Sequence, residues 1–170
     1  TNTVLHVVKY LKDVRIINND DCVRAGFANV CEATGLMGRW QTIGKSPLVV
    51  CDTGHNVGGW QYLSSQIKSV ECKALRIVFG MVDDKDIEHV MDMLPKNAVY
   101  YFAQATTHRA IPVSVVGEKA SAHGLHGTCY TSVAEAYEHA LADADKDDFV
   151  FVGGSSYVVA DLLTYLKNNN

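Results

Sequence analysis

The second half of the chain constrains its fold more than any other feature. There, short apolar runs rich in β-branched and aromatic residues alternate with segments of helical period. Residues 74–79, 97–103, 126–130 and 148–152 read as strands. Residues 85–94 carry Ile87, Val90, Met91 and Leu94 at i, i+3, i+4 and i+7, and 112–123, 132–144 and 156–167 have helical spacing as well. Strand–helix–strand units of about 25–30 residues are βαβ units and call for a mostly parallel sheet. The strands are apolar on both faces, as strands covered by helices on both sides are. The crossovers should be right-handed.

Upstream of this region, 38–43 and 47–51 form a strand-like pair, followed by a helix over 57–70 that buries Trp60, Leu63, Ile67 and Val70. Residues 3–12 and 21–33 read as two further helices, separated by a turn at Asn18–Asp21 that suits a cap. The expected organisation is therefore a two-helix piece over 1–36 and a Rossmann-like α/β domain over 37–170, with helices flanking the sheet. The chain opens on Thr1 and enters a helix at once, so it is expected to be part of something longer.

With 170 residues the chain is long enough for one domain with a real core. A formal net charge of −4 and the absence of any Lys/Arg block argue against nucleic acid and anionic membrane as partners. No apolar run reaches the roughly 18 residues of a membrane span. The five cysteines are odd in number, irregularly spaced and without a C-x-x-C pair, which reads as reduced thiols of a cytoplasmic protein. The seven histidines are scattered, and His123 and His126 have no Cys or carboxylate partner at ligand spacing, so no metal site is expected.

Four predicted loops follow the carboxyl ends of strands and should share one edge of the sheet, where ligands of open α/β sheets bind. They are Asp52–Asn56, Gly80–Asp86, Gln104–Arg109 and Gly153–Ser156, all polar or Gly-rich. Loops of the other edge, such as Asp143–Asp148, read as charged solvent turns. Asp52, His55 and Asn56 place a carboxylate, an imidazole and an amide in one glycine-bearing turn, more than capping requires. Arg39 stands at the start of the preceding strand pair. Gly153-Gly154-Ser155 precedes a helix, where backbone amides attract anions or Ser155 caps the helix. Asp83–Asp86 either caps a helix or lines the ligand edge, with Lys85 and Asn56 as further edge candidates. Arg109 either clamps an anion with two parallel bonds or forms a surface salt bridge. No G-x-G-x-x-G and no G-x-x-x-x-G-K-[ST] occurs in the chain.

Gly38-Arg39-Trp40-Gln41, Asp52-x-x-His55-Asn56, Val78-Phe79-Gly80 leading to Asp84-Lys85-Asp86, and Phe151-Val152-Gly153-Gly154-Ser155-x-Tyr157-x-Val159 together resemble the C-terminal domain of folylpolyglutamate synthase / dihydrofolate synthase, within the Mur ligase superfamily. Order and spacing agree over about residues 36–167, and the first 35 residues resemble the helices that end that family's ATPase domain. The resemblance implies ligation of L-glutamate to a folate or dihydropteroate carboxylate through an acyl phosphate, with ATP and Mg2+. It implies that Arg39 and Asp52 contact ATP, and that His55 and Ser155 serve the incoming glutamate and catalysis. It also implies an upstream ATPase domain in the same chain that holds the metal ligands, so that this stretch alone is inactive. Gly54 and Val57 replace the Ala and Pro common in that family's turn, and His108 precedes Arg109 where Pro is usual. The competing readings are another Mur-type amino-acid ligase, such as a UDP-sugar peptide enzyme, and a free-standing Rossmann-like small-molecule binding module.

Overall fold

In the computed structural model, residues 2–83 and 86–169 are described, and they divide into two compact units at Met37/Gly38. The first unit holds α1 (Asn2–Asp13), α2 (Asp20–Ala28) and α3 (Val30–Thr34). Asn19 caps α2, its side chain accepting the Asp21 amide at 2.8 Å, and Asp20 at the helix start pairs with Lys12. The helix expected over 21–33 is interrupted at Asn29, whose φ of −123° and ψ of 29° leave the helical region. Asparagine is a weak helix former because its short amide offers the backbone other partners. None of these helices buries a residue: Val4, Val7, Phe27 and Val30 are all exposed.

The second unit is a six-stranded sheet in the order β1-β2-β6-β3-β4-β5, formed by β1 (Gln41–Lys45), β2 (Leu48–Asp52), β3 (Leu75–Phe79), β4 (Val99–Ala103), β5 (His126–Tyr130) and β6 (Phe149–Gly153). Only β1 runs antiparallel; β2, β6, β3, β4 and β5 pair in parallel. The helices α4 (Val57–Lys68), α5 (Ile87–Met93), α6 (Val113–Ala122), α7 (Val133–Ala142) and α8 (Ser156–Asn169) follow the parallel strands in turn. This is the α/β, mostly parallel, helix-flanked fold expected from the sequence; β5 departs from the expected burial on both faces, being polar at the sheet edge with His126 to Cys129 exposed.

Period-2 alternation sorts the side chains of each strand onto two cores. Ile77 and Phe79 of β3 and Phe149 and Phe151 of β6 join Trp60, Leu63 and Ile67 of α4, together with α5 and α6. Val78, Val150 and Val152 face the other way, onto Tyr137 and Ala140 of α7 and Val158, Val159 and Leu162 of α8. Trp60 sits edge-on to Phe79 and Phe151, with ring centroids 5.8 and 6.0 Å away. Each of these rings contributes about 1.5–3 kcal/mol through its removal from water.

The order of strands then fixes where a ligand has room. β2 leaves the sheet into α4 on one face, and so does β3 into α5; β6, lodged between β2 and β3, leaves into α8 on the opposite face. Neighbouring loops therefore diverge at the carboxyl ends of β2, β6 and β3, the place where open α/β sheets take ligands in a crevice.

At the opposite edge the expectation of simple solvent turns fails. Asp148 is 3% exposed and receives the Nε and a terminal nitrogen of Arg76, each at 3.1 Å, with the Asp145 amide at 3.0 Å. Arg76 also reaches the Tyr101 hydroxyl, which donates to Asp143 at 2.8 Å. Burial pushes the Asp148 carboxyl up, but the Asp145 amide and the Arg76 guanidinium outweigh it and hold the group below the usual carboxylate range.

Candidate functional site

The Gly38–Gln41 turn is tied down from three sides. Its Gly38 carbonyl accepts the Thr53 amide at 2.9 Å, and its Gly38 amide donates to Gln41 Oε1 at 2.7 Å. The Trp40 amide donates to Asp52 Oδ2 at 2.7 Å. The Trp40 ring lies against Phe149 and Phe151, with centroids 6.3 and 6.1 Å away. Gly38 has φ +71° and Trp40 φ +43°. A non-glycine residue held there costs about 1–3 kcal/mol and persists only where its surroundings over-determine it. Arg39 is the exposed residue at the apex of this turn.

Asp52 ends β2, opposite Gly153 of β6. Its second oxygen, Oδ1, accepts the Gly54 amide at 2.7 Å, and the residue is only 8% exposed. His55, half-buried, has Nδ1 at 2.9 Å from the Thr53 carbonyl. A carbonyl only accepts, so Nδ1 carries the proton and the ring's reactive position is Nε2. Asn56 is the N-cap of α4, its Oδ1 accepting the Gly59 amide at 2.8 Å. Gly54 has no room for a side chain, because a Cβ would stand 2.2 Å from Leu63 Cδ1. Leu63 therefore occupies the space that the Ala common in the resembling family would need. Val57, in place of the family's Pro, opens α4 and packs on the core.

Across the crevice, the Ser155 hydroxyl accepts the Val158 amide at 3.2 Å, which makes it a helix cap, and Ser155 is 1% exposed. Gly154 has φ +106°, and a Cβ there would stand 2.4 Å from the Gly80 carbonyl oxygen. Only glycine lets this chain segment pass so close to the end of β3. The N-termini of α4 and α8 thus both open onto the carboxyl edge, one from each face of the sheet, and both favour negative charge.

The loops after β3 and β4 are joined to each other. Val82 bridges Ala110, the Asp83 amide donates to the Arg109 carbonyl at 3.0 Å, and the Ile111 amide to the Met81 carbonyl at 3.1 Å. Arg109 Nε lies 3.7 Å from Asp83 Oδ1, the ion-pair alternative for this residue. Lys85 lies outside the described residues. Two supports of this region were not read from the sequence. Asp161 of α8 accepts both the Thr106 amide and hydroxyl at 2.8 Å, and Gln104 Oε1 accepts the Val113 amide at 3.0 Å, covering the start of α6. Pro112 stands just outside that helix rather than in its first turn. Neither Asp161 nor Gln104 belongs to a motif, and only the distant pairing makes them visible.

Among the described residues no group of three His, Cys, Asp or Glu side chains gathers to hold a metal ion. Likewise, no helix among them is long and apolar enough to cross a membrane.

The sequence profile of the Mur ligase glutamate ligase domain matches residues 38–156. The chain belongs to that family. It is 32% identical over 148 residues to the dihydrofolate synthase/folylpolyglutamate synthase of Escherichia coli, covering 85% of this chain and 33% of that protein. The corresponding enzyme of Buchnera aphidicola from Schizaphis graminum is 28% identical over 131 residues, covering 76% and 31%. This family member thus spans about a third of the length of the curated relatives it matches. Among solved structures, E. coli FolC in complex with ADP superposes with a TM-score of 0.73 at 30% identity, covering 79% of this chain and 32% of that one. A bifunctional folylpolyglutamate synthase/dihydrofolate synthase solved with Mn, AMPPNP and L-glutamate superposes with a TM-score of 0.69 at 29% identity, covering 78% and 32%.

Proposed function

We propose that this chain is the C-terminal domain of an ATP-dependent ligase that adds L-glutamate to a folate or dihydropteroate carboxylate. The observation that carries the reading is the crevice around β6. There Arg39, the His55 turn and the Gly153–Ser155 segment come from three separate places in the sequence to one edge of the sheet, in a chain whose relatives are folylpolyglutamate and dihydrofolate synthases. In this reaction the acceptor carboxylate oxygen bonds to the γ-phosphorus of ATP as ADP leaves. The glutamate amine then attacks the acyl carbon, the bond from that carbon to the phosphate oxygen breaks, and the amine gives up a proton.

Each stage presents negative charge to the domain. Arg39, at the apex of its turn, supplies a planar donor set suited to phosphate oxygens. The helix N-terminus behind Ser155 favours the anionic end of a substrate. We read His55 Nε2 as the group that meets the glutamate, accepting from it or, when protonated, donating to it. We assign the magnesium ligands to an upstream ATPase domain, as the resemblance implies, and no step here is routed through the ion. We expect this domain alone to be inactive.

The test is ADP release by the full-length protein with ATP, L-glutamate and either dihydropteroate or a reduced folate. Arg39→Ala should lower kcat/KM by about 10²-fold or more, roughly 2.7 kcal/mol of transition-state stabilisation. The melting temperature, measured alongside, should not fall enough to account for the lost turnover. Unchanged turnover at every substrate level would refute the assignment.

A further inference from the structure

The amino edge of the sheet, opposite the strand ends discussed above, holds a cavity of about 320 Å3 that glutamate ligation does not use. We propose that this cavity binds a free α-amino acid with a neutral side chain, Lys45 and Lys146 taking its carboxylate and Glu71 and Asp147 its ammonium.

Three segments frame the cavity: the β1–β2 hairpin, residues 69–74 between α4 and β3, and residues 143–148 between α7 and β6. Backbone bonds join them in advance. The Leu48 amide donates to the Asp148 carbonyl at 3.2 Å, the Lys73 amide to the Asp147 carbonyl at 2.9 Å, and the Phe149 amide to the Ala74 carbonyl at 2.9 Å. A frame already ordered spares a ligand that cost. The volume lies at the lower end of small-molecule sites, which run from about 300 to 1,000 Å3.

Charge decides what fits. Lys73 is paired with Asp145, and Asp148 with Arg76. The remaining charged side chains of the lining, Lys45, Lys146, Glu71 and Asp147, are exposed and make no ion pair among the described residues. Their charges cancel. A simple anion would meet two unmatched carboxylates, and a simple cation two unmatched ammonium groups, whereas a zwitterion satisfies both signs. The like charges also share sides. The Ser46 hydroxyl donates to the Lys146 carbonyl at 3.4 Å, which sets Lys146 beside the hairpin that carries Lys45. The Lys73 amide bond sets Asp147 beside the segment that carries Glu71. No charge of the lining is left over for a charged side chain. Leu48, half-buried, and Phe149 offer the ligand an apolar surface instead.

The test is an amide NMR titration of the 170-residue chain with L-leucine as the probe. The resonances of Leu48, Lys73 and Asp148, around the cavity, should shift saturably, while those of the Asp52–Asn56 turn stay in place. Two analogues each lack one charge: 4-methylpentanoate has no ammonium, and 3-methylbutylamine has no carboxylate. Each should bind at least about tenfold more weakly than L-leucine, the scale of one charge-assisted contact. Lys45→Ala and Lys146→Ala change exposed side chains, and each should weaken L-leucine about threefold or more. Binding of 4-methylpentanoate as tight as that of L-leucine would make this a plain anion site and overturn the proposal. An affinity unchanged in both lysine variants, or shifts confined to the Asp52–Asn56 turn, would overturn it too. So would the lack of any saturable shift at about 100 mM L-leucine, a concentration at which even a very weak specific site is filled.

Discussion

His55 shows how a single hydrogen bond narrows a residue's chemistry. Because Nδ1 donates to the Thr53 carbonyl, the imidazole is oriented by its own turn, and Nε2 is left to act. His55→Ala in the full-length protein should raise the KM for glutamate or lower kcat, while the KM for ATP stays nearly constant. A loss confined to ATP affinity would move His55 to the nucleotide side. Gly54, one residue earlier, records a local exchange of volume between the turn and Leu63. Gly54→Ala should lower stability by about 1–3 kcal/mol, the usual effect of overpacking. Leu63 is only 6% exposed and its Cδ1 stands in the way. Adding Leu63→Val removes that methyl, so the double variant should be more stable than the sum of the single changes by at least about 0.5 kcal/mol in urea unfolding. Strict additivity would show that the turn, and not Leu63, absorbs the new methyl.

Between elements, the join of α5 to α6 is ionic and should be sensitive to pH. His123, just past the end of α6, has Nε2 2.6 Å from Glu88 and Nδ1 2.7 Å from Asp92, both on α5, and Lys119 also pairs with Glu88. Two carboxylates need two donors, so the bonded form is the imidazolium. The Glu88 and then the Asp92 bond raise its pKa above the ordinary value, against a smaller opposing effect of burial. A raised folded-state pKa means the stabilisation is fully present below the unfolded value of about 6.5 and is lost as pH rises through the folded one. The stability difference between wild type and His123→Asn should therefore be largest below about pH 6.5 and shrink as the pH is raised above it. A difference independent of pH would rule out this join as a proton-linked contact. This link is not visible in the sequence, where His123 has no carboxylate at ligand spacing, because Glu88 and Asp92 lie more than 30 residues away. The buried Asp148–Arg76 pair escaped for the same reason, 72 residues apart and hidden in an acidic run. The elements themselves were legible, since each strand and helix of the sheet announces its period within one window. The site was legible to the extent that its residues follow strand ends: the parallel pairing alone brings Asp52 beside Gly153. What Asp52 and Ser155 do with their oxygens was not, because a cap and a ligand contact use the same atoms.

At the scale of the whole molecule, the proposed site can be weighed against what a nucleotide needs. One Arg–phosphate contact contributes about 1.5–3 kcal/mol. A helix N-terminus adds about 0.3–1 kcal/mol to an exposed anion. The sum, about 2–4 kcal/mol, corresponds to a dissociation constant of millimolar or weaker, before the cost of immobilising the ligand raises it further. The sequence offers no phosphate-cradling G-x-x-x-x-G-K-[ST] loop to make up the difference. These two relatives are about two and a half times as long, and in a protein of that length the remaining contacts would come from the upstream ATPase domain we propose. The 170-residue chain, purified as it stands, should therefore bind ATP no better than millimolar by calorimetry. It should also release no ADP above the blank when supplied with ATP, L-glutamate and dihydropteroate, while its circular dichroism shows the α/β content of the sheet and its helices. Micromolar binding would mean that this sheet edge already holds a complete nucleotide site, and measurable ADP release would mean that it also holds the groups for phosphoryl transfer. Either result would transfer to this crevice the work assigned here to the upstream domain.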